Sequence, residues 1–199
     1  MKIKTLLAAI TILLISGCAT TKMVVASNQE MLIPDQDTSQ VIFLRSSFVG
    51  SAIQASVFDV TTGEPDFIGI LSNESKLAWT GAPGQHVFMV VSEAADFMEA
   101  NLDGGKSYYA MVTPRMGAWK ARFSMHPVRA SGGNFQHTSD EFKTWLENAN
   151  FVENTPESEA WFNENRDSIK SKQADYWAVW QKKTDADRAE RTLNAEDGI

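Results

Sequence analysis

The feature that most constrains this chain is a series of short apolar runs over residues 41–128, separated by turn-forming residues. The runs are rich in Val, Ile, Phe and Tyr, and Gly, Pro, Asn and Asp stand between them, which is typical of β-strands. Alternation is clearest in 54–59 and 119–124, where one side of a strand can face a core and the other side water. About seven strands are predicted, at 41–46, 53–60, 67–72, 75–79, 86–92, 107–114 and 119–127.

The apolar pattern becomes helical from Thr138 onward. Thr138 and Glu141 fit a capping box, and apolar residues follow at helical spacing. A second helix is predicted to begin at Thr155-Pro156-Glu157, because proline suits the first helical position and acidic residues suit the first turn.

These patterns define the predicted fold class and the domain boundaries. The class is mainly β with C-terminal α: an antiparallel sandwich of about seven strands over 41–130, followed by two helices. The helical extension is assigned to 138–192. Residues 193–199 are mostly charged and small, which predicts a frayed, solvated tail.

The first 17 residues have the layout of a secretory signal peptide. Lys2 and Lys4 precede an apolar run at 6–15, which is shorter than the roughly 20 residues that a transmembrane helix needs. The run ends in Ile15-Ser16-Gly17-Cys18, which resembles a lipobox: a branched apolar residue, two small residues and the cysteine that becomes diacylated. Cleavage before Cys18 and lipidation of its thiol are therefore predicted.

Cys18 is the only cysteine of the chain. An ordinary buried or free thiol is the alternative, but a secreted chain with one cysteine has no internal disulfide partner, and acylation gives the odd thiol a role. Two or three acyl chains anchor firmly where one would be marginal. Because Ala19 follows rather than Asp, the resemblance implies export to the outer membrane. Residues 18–40 are predicted to form a polar tether, with the apolar 31–33 able to dock on the folded part.

Charge narrows the classes of partner. The formal net charge of −7 becomes −9 when Lys2 and Lys4 are removed with the signal peptide. Nucleic acid and anionic lipid both call for basic patches, so neither is predicted as the main partner. The predicted partners are the membrane, through the lipid anchor, and a protein of the envelope. The hydrophobic content of 43% is that of a globular protein.

Four short segments in the strand-rich region carry a family resemblance. They are Arg45-Ser46-Ser47, Gly50-Ser51-Ala52, Pro83-Gly84-Gln85-His86 and Gly105-Lys106-Ser107-Tyr108-Tyr109. In order and spacing they resemble a family of uncharacterised bacterial lipoproteins with a transthyretin-like sandwich domain. The resemblance covers 41–128, less than half of the chain, and it implies the sandwich fold but no catalytic residues. Where the family usually has an Asp-Gly hairpin, this chain has a longer turn at 61–66.

No motif in the sequence points to catalysis, a metal or a cofactor. Gly105-Lys106-Ser107 is similar to the end of a phosphate-binding loop, but position 100, where that loop needs glycine, is Ala100. The three histidines are far apart and lack the short spacings of a zinc site. Ser51 is not part of a Gly-x-Ser-x-Gly motif. The protein is therefore predicted not to be an enzyme.

Two sets of residues are candidate binding surfaces. Arg115 and Lys120 flank a turn at 116–118 and, with Arg122, could bind an anion; the alternative is that they are solvated ends of a hairpin. The second set is an aromatic stripe on the last helix that could bind a partner: Trp161, Tyr176, Trp177 and Trp180. Its helical spacing favours the alternative, packing of the helix on the rest of the protein.

These observations leave three hypotheses about function. The first is a non-catalytic binding or scaffold module of the cell envelope, anchored in the outer membrane and facing the periplasm. Its C-terminal helices either pack on the sandwich or are offered to a partner, and binding through these helices is the prediction. The second is a carrier of a small apolar or glycan ligand held between sheet and helices. The third is an envelope enzyme of a type that the motifs do not identify. An apolar cavity with a mouth would favour the carrier, and a cluster of His, Asp or Ser in a cleft would favour the enzyme.

Overall fold

The computed structural model describes residues 21–47, 53–115 and 122–199. The signal peptide predicted at 1–17, the lipidation site Cys18 and the anion-binding candidate Lys120 lie outside these residues. The described residues form eleven strands: β1 (Val24–Val25), β2 (Ser39–Arg45), β3 (Ala55–Asp59), β4 (Asp66–Leu71), β5 (Ser75–Gly81), β6 (Gly84–Val91), β7 (Ala95–Leu102), β8 (Ser107–Arg115), β9 (Arg122–Pro127), β10 (Asn150–Glu153) and β11 (Thr192–Leu193). They also form three α-helices, α1 (Asp140–Asn148), α2 (Pro156–Trp180) and α3 (Asp185–Ala189), and a 3-10 helix at Ala195–Asp197.

The strands form two sheets. The first sheet has the order β1-β10-β5-β2-β8-β9 and the second has the order β11-β7-β6-β3-β4. The prediction of a mainly β chain with C-terminal helices is confirmed. The strand count and direction differ from the prediction, because β1, β7, β10 and β11 were not expected and three neighbouring pairs are parallel: β10 with β5, β2 with β8 and β11 with β7. Parallel neighbours need a long connection, and between β2 and β8 the chain forms β5 and four of the five strands of the second sheet, β3, β4, β6 and β7.

Both faces of the central strands are buried, in three clusters of apolar side chains. The central cluster takes side chains from both sheets, including Phe43 of β2 and Phe88 of β6, whose rings are 5.1 Å apart. The α2 cluster joins the second sheet to α2, and the α1 cluster joins the first sheet to α1. In β3, Val57 belongs to the central cluster and Phe58 to the α2 cluster, and both are fully buried. The expectation that one side of this strand faces water is therefore wrong, because α2 covers that side.

The segment predicted as a tether is packed against the fold from its first described residues. Met23 is 5% exposed and belongs to the central cluster. Val24 and Val25 pair with β10, and the Lys22 ammonium lies 2.7 Å from the Glu157 carboxylate. The backbone of Val24, Val25 and Ala26 bonds to β10, and residues 39–40 begin β2, so a free polar chain over 21–40 is not what forms.

The C-terminal residues predicted to fray are also packed. Leu193 is fully buried, and β11 extends the second sheet beside β7. The Asp197 carboxylate is 3% exposed and accepts hydrogen bonds from Arg129, at 2.8 Å, and from the backbone N–H groups of Ala130 and Asn194. The charged composition of this tail therefore reflects internal ion pairing as well as contact with water.

The helical region is part of the same structure as the sheets. Strand β10 lies between α1 and α2 in the chain and adds to the first sheet beside β5. Helix α1 is capped by Ser139, whose hydroxyl accepts the N–H of Phe142 at 3.2 Å, rather than by the predicted Thr138. Phe142, on the predicted apolar stripe, is buried in the α1 cluster.

Candidate binding clefts

Helix α2 begins where the sequence predicts, because Thr155 and Ser158 form a capping box. The Thr155 hydroxyl accepts the N–H of Ser158 at 3.2 Å, and the Ser158 hydroxyl accepts the N–H of Thr155 at 2.9 Å. Such reciprocal bonds satisfy two N–H groups that the first turn leaves without partners. The Thr155 hydroxyl also donates to the carbonyl of Lys22 at 2.7 Å, which fixes the start of α2 against the N-terminal segment.

The aromatic stripe of α2 packs on the second sheet. Trp180 is 2% exposed, and its indole N–H donates to the Glu99 carboxylate at 3.0 Å. The other three predicted residues are partly buried in the α2 cluster: Trp161, Tyr176 and Trp177. Of the two interpretations of the stripe, the geometry favours packing, and only the exposed parts of the last three rings remain available to a partner.

An apolar cleft of about 400 Å³ lies between α2 and the second sheet. We call it the α2 cleft. Its lining comes from the sheet side and its following turn, with Val60, Thr61, Gly63 and Val87, and from the helix, with Lys170, Gln173, Ala174 and Trp177. The mouth is open to solvent, and the size falls in the range of small-ligand sites.

Two side chains of α2 bridge to the turn after β3 and give the α2 cleft a polar end. The Gln173 amide donates to the carbonyl of Gly63 at 2.9 Å, and the Lys170 ammonium lies 2.5 Å from the Glu64 carboxylate. Gly63 has a φ of 89°, in the left-handed region that favours glycine. The α2 cleft therefore has apolar walls, an indole ring and, at one end, an amide and an ammonium group that are already bonded to Gly63 and Glu64.

Asp59, Thr61 and His86 meet at the rim of the α2 cleft. The Asp59 carboxylate accepts both the hydroxyl of Thr61, at 2.5 Å, and its N–H, at 2.9 Å. His86 places Nδ1 3.6 Å from the same carboxylate and Nε2 2.9 Å from the carbonyl of Ala82. The bond from the Thr61 N–H to the Asp59 carboxylate forms an Asx turn. The role of the cluster is therefore structural: it holds the chain in place where it leaves β3.

A second, more polar cleft of about 620 Å³ lies between the end of β9 and the C-terminal segment. We call it the tail cleft. Its charged and polar lining includes His126, Arg129, Glu190 and Arg191. Burial first, and then the charges of Arg191 and Arg115, lower the pKa of His126 from 6.5 to about 4, so the imidazole is neutral at pH 7.

The arginines around the tail cleft are engaged with carboxylates of the protein. Arg129 pairs with Asp197 at 2.8 Å, and Arg191 lies 3.2 Å from Asp96 and donates to the carbonyl of Met125 at 2.6 Å. The three contacts hold the C-terminal segment to both sheets. Because each guanidinium has a carboxylate partner, the positive charge offered to an anion in the cleft is reduced.

The predicted anion-binding residues are only partly brought together. Arg115 of β8 and Arg122 of β9 are directly opposite each other in the first sheet, and both are exposed. Arg115 lies 3.7 Å from the carboxylate of Asp96, on the second sheet. This partner was not foreseen, because the segment that carries Asp96 was not predicted as a strand.

The described ranges contain no group of three His, Cys, Asp or Glu side chains placed to hold a metal ion. In the same ranges, none of the helices combines the length and the apolar character needed to cross a bilayer. No protein-family model matches the sequence, and no curated protein is significantly similar to it.

Of the residues that line the two clefts, Trp177 alone was singled out from the sequence as a binding candidate. Lys170, Gln173 and Trp177 are spaced three and four residues apart, so they share one face of α2. This spacing is visible in the sequence, but the predicted stripe contained only aromatic residues and so left out Lys170 and Gln173. In the tail cleft, Arg129 and Arg191 are 62 positions apart in sequence and no local pattern joins them.

Proposed function

We propose that the mature protein is a lipoprotein of the cell envelope, cleaved before Cys18 and anchored by acyl chains in the outer membrane on the periplasmic side. The support is the order of basic residues, short apolar run, two small residues and cysteine at the start of the sequence. Two or three acyl chains would hold the protein in the bilayer stably, whereas a single chain binds only weakly and reversibly.

The two sheets form a sandwich of the transthyretin-like kind in this proposal. The support is the central cluster, to which both sheets contribute, and the edge-to-face contact of Phe43 with Phe88 across it. The order of the Pro83-Gly84 and Gly105-Lys106 segments, each at the start of or just before a strand, is consistent with the family resemblance.

The protein acts as a non-catalytic binding module, and the α2 cleft is its binding site. The observation that carries this proposal is the combination of apolar floor, partly exposed Trp177 and polar pair Lys170 and Gln173 in one open cleft. Aromatic and apolar walls supply affinity through burial, and a few polar groups set orientation. The ligand is a small molecule or a side chain of an envelope protein.

A carrier of a small, largely apolar ligand is the second candidate function. The volume of about 400 Å³ and the position between sheet and helix favour it. In that case a ligand would co-purify with the protein and could be extracted with organic solvent and identified by mass spectrometry. A protein partner would instead leave the cleft empty after purification.

Acylation is tested by metabolic labelling with radioactive palmitate. The parent protein should take up label, and Cys18→Ser should take up none and remain uncleaved or soluble. Absence of label from the parent would refute the anchor.

The binding site is tested by site-specific photo-crosslinking in the native envelope. A photoreactive residue at position 173 should give a defined adduct, and one at Val179, which is 58% exposed on the same helix, should not. Ala174→Trp would fill the α2 cleft and abolish the adduct, whereas Ala178→Trp, at an exposed position outside the lining, is the matched control. An adduct that survives Ala174→Trp would assign binding to another surface.

A further inference from the structure

Exposed apolar side chains concentrate in one short segment near the start of the described chain. Among the described residues, eight large apolar side chains are exposed, and five of them lie in the ten residues from 24 to 33. They are Val24, 47% exposed, Val25, 58%, Met31, 36%, Leu32, 60%, and Ile33, 94%. Scattered exposed residues need no explanation, but five in one short segment that runs from the edge strand β1 to Tyr109 of β8 point to a contact surface on this side of the first sheet.

This segment is held in place by the fold. Val24 and Val25 pair with β10, and the Gln29 side chain exchanges hydrogen bonds with the backbone of Phe151, donating at 3.1 Å and accepting at 2.7 Å. The hydroxyl of Tyr109 donates to the sulfur of Met31 at 3.3 Å. The apolar side chains are therefore presented by a fixed backbone rather than by a free tether.

We infer that this segment, residues 24–33, is a membrane-contact surface that lies against the lipid bilayer. The inference deepens the proposed function, because it rests on the acyl anchor at Cys18. Thr21 is three steps along the chain from Cys18 and Val24 is six, so at about 3.3–3.6 Å per residue they are at most roughly 11 Å and 22 Å from the acylated residue. The anchor therefore keeps the bilayer close to Val24 and Val25, and this proximity favours lipid over a protein partner as the surface that covers them.

Charge indicates which lipids suit the membrane-contact surface. Glu30, Asp35 and Asp37 lie in or next to the segment, and Lys22, the one cation nearby in sequence, is paired with Glu157. Acidic side chains are repelled by anionic headgroups. The surface therefore fits a zwitterionic bilayer, and vesicles of phosphatidylethanolamine and phosphatidylcholine are the probe.

The test measures contact between the segment and lipid in the acylated, full-length protein. Since the thiol of Cys18 is blocked by acylation, an introduced cysteine is the single reactive thiol. Ile33→Cys and Val25→Cys would each carry an environment-sensitive fluorophore, and vesicles would contain lipids with a quencher on the acyl chain. Val179→Cys is the control, because Val179 is as exposed as Val25 but lies 22 residues along α2 from Glu157, about 33 Å at 1.5 Å per residue.

Quenching at positions 25 and 33 at least twice that at 179 is expected and would support the inference. Acylated protein whose probes at 25 and 33 are quenched no more than the probe at 179 would overturn it and leave the anchor intact. Energy transfer between labelled copies that rises with surface density, without lipid quenching, would assign the surface to a second copy of the chain and also overturn it. Mass analysis that shows an unmodified Cys18 would overturn the proposed anchor, and this inference with it.

Discussion

Replacing Phe162 by alanine should destabilise the whole protein, because α2 closes the outer face of the second sheet. Phe162 is 6% exposed, and its ring stacks on Phe67 at 5.0 Å and lies 5.8 Å from Phe58. Truncating a buried phenylalanine to alanine costs about 3–5 kcal/mol, and the total stability of a domain is about 5–15 kcal/mol. With a urea m value of about 2 kcal/mol/M, the midpoint should fall by roughly 2 M.

The assay is urea unfolding followed by far-ultraviolet circular dichroism and by tryptophan fluorescence. Both signals should move together, because the sheets and α2 are expected to unfold in one transition, and α2 contributes to both signals through its helical backbone and its tryptophans. Val179→Ala, on the exposed side of the same helix, is the control and should change stability by no more than about 0.5 kcal/mol. If Phe162→Ala behaves like the control, or if it splits unfolding into two separate transitions, α2 is an appendage. Deletion of 155–199 would then leave folded sheets, whereas the packing described above predicts aggregation.

Three further predictions concern charged and buried groups. The pKa of His126 is lowered to about 4 in the folded protein, so between pH 6.5 and 4 the unfolded chain binds a proton that the folded protein does not. The free energy of unfolding should therefore fall by about 2 kcal/mol over this range, after allowance for partial exposure. In His126→Asn, urea titrations should show that this part of the pH dependence is lost. Asp197→Ala should cost about 3 kcal/mol by leaving Arg129 unpaired, and the double variant with Arg129→Ala should lose less than the sum of the two single losses in a double-mutant cycle. Phe58→Asp should unfold the protein whereas Asp59→Ala should matter much less by thermal unfolding, and equal effects would mean that the faces of β3 are misassigned.

Much of the fold could be predicted because its strands and helices carry local signals. The seven predicted strands lie close to β2–β6, β8 and β9, and the Thr155-Pro156 signal marks the start of α2. Strand β7 carries no such signal, because its Ala, Asp, Glu and Asn residues are depleted in strands. Tertiary packing, rather than local propensity, stabilises β7 as a strand, because Phe97 is buried in the α2 cluster and Ala100 in the central cluster.

The clefts could not be predicted in the same way, because they depend on contacts distant in sequence. Trp177 of α2 was a binding candidate. Val60 and Val87, which line the α2 cleft with it, belong to the second sheet or the turn after β3 and lie at least 90 positions earlier in the chain. The segment that lines the tail cleft is followed by Leu193, an apolar residue between polar neighbours, which is buried where β11 pairs with β7. A single apolar residue has no periodicity, so pattern analysis gives it no weight.

The pairing of β1 with β10 has a consequence for the order of folding. Val24 is opposite Glu153, so the first strand has no partner until three-quarters of the chain has been synthesised, and β11 reaches β7 only at the end. Contacts of this sequence separation make folding slow, because large loops must close before the contacts form. A chain exported as we propose would therefore still be unfolded when its N-terminal part crosses the inner membrane, and β1 would add to the sheet after the rest of the first sheet exists.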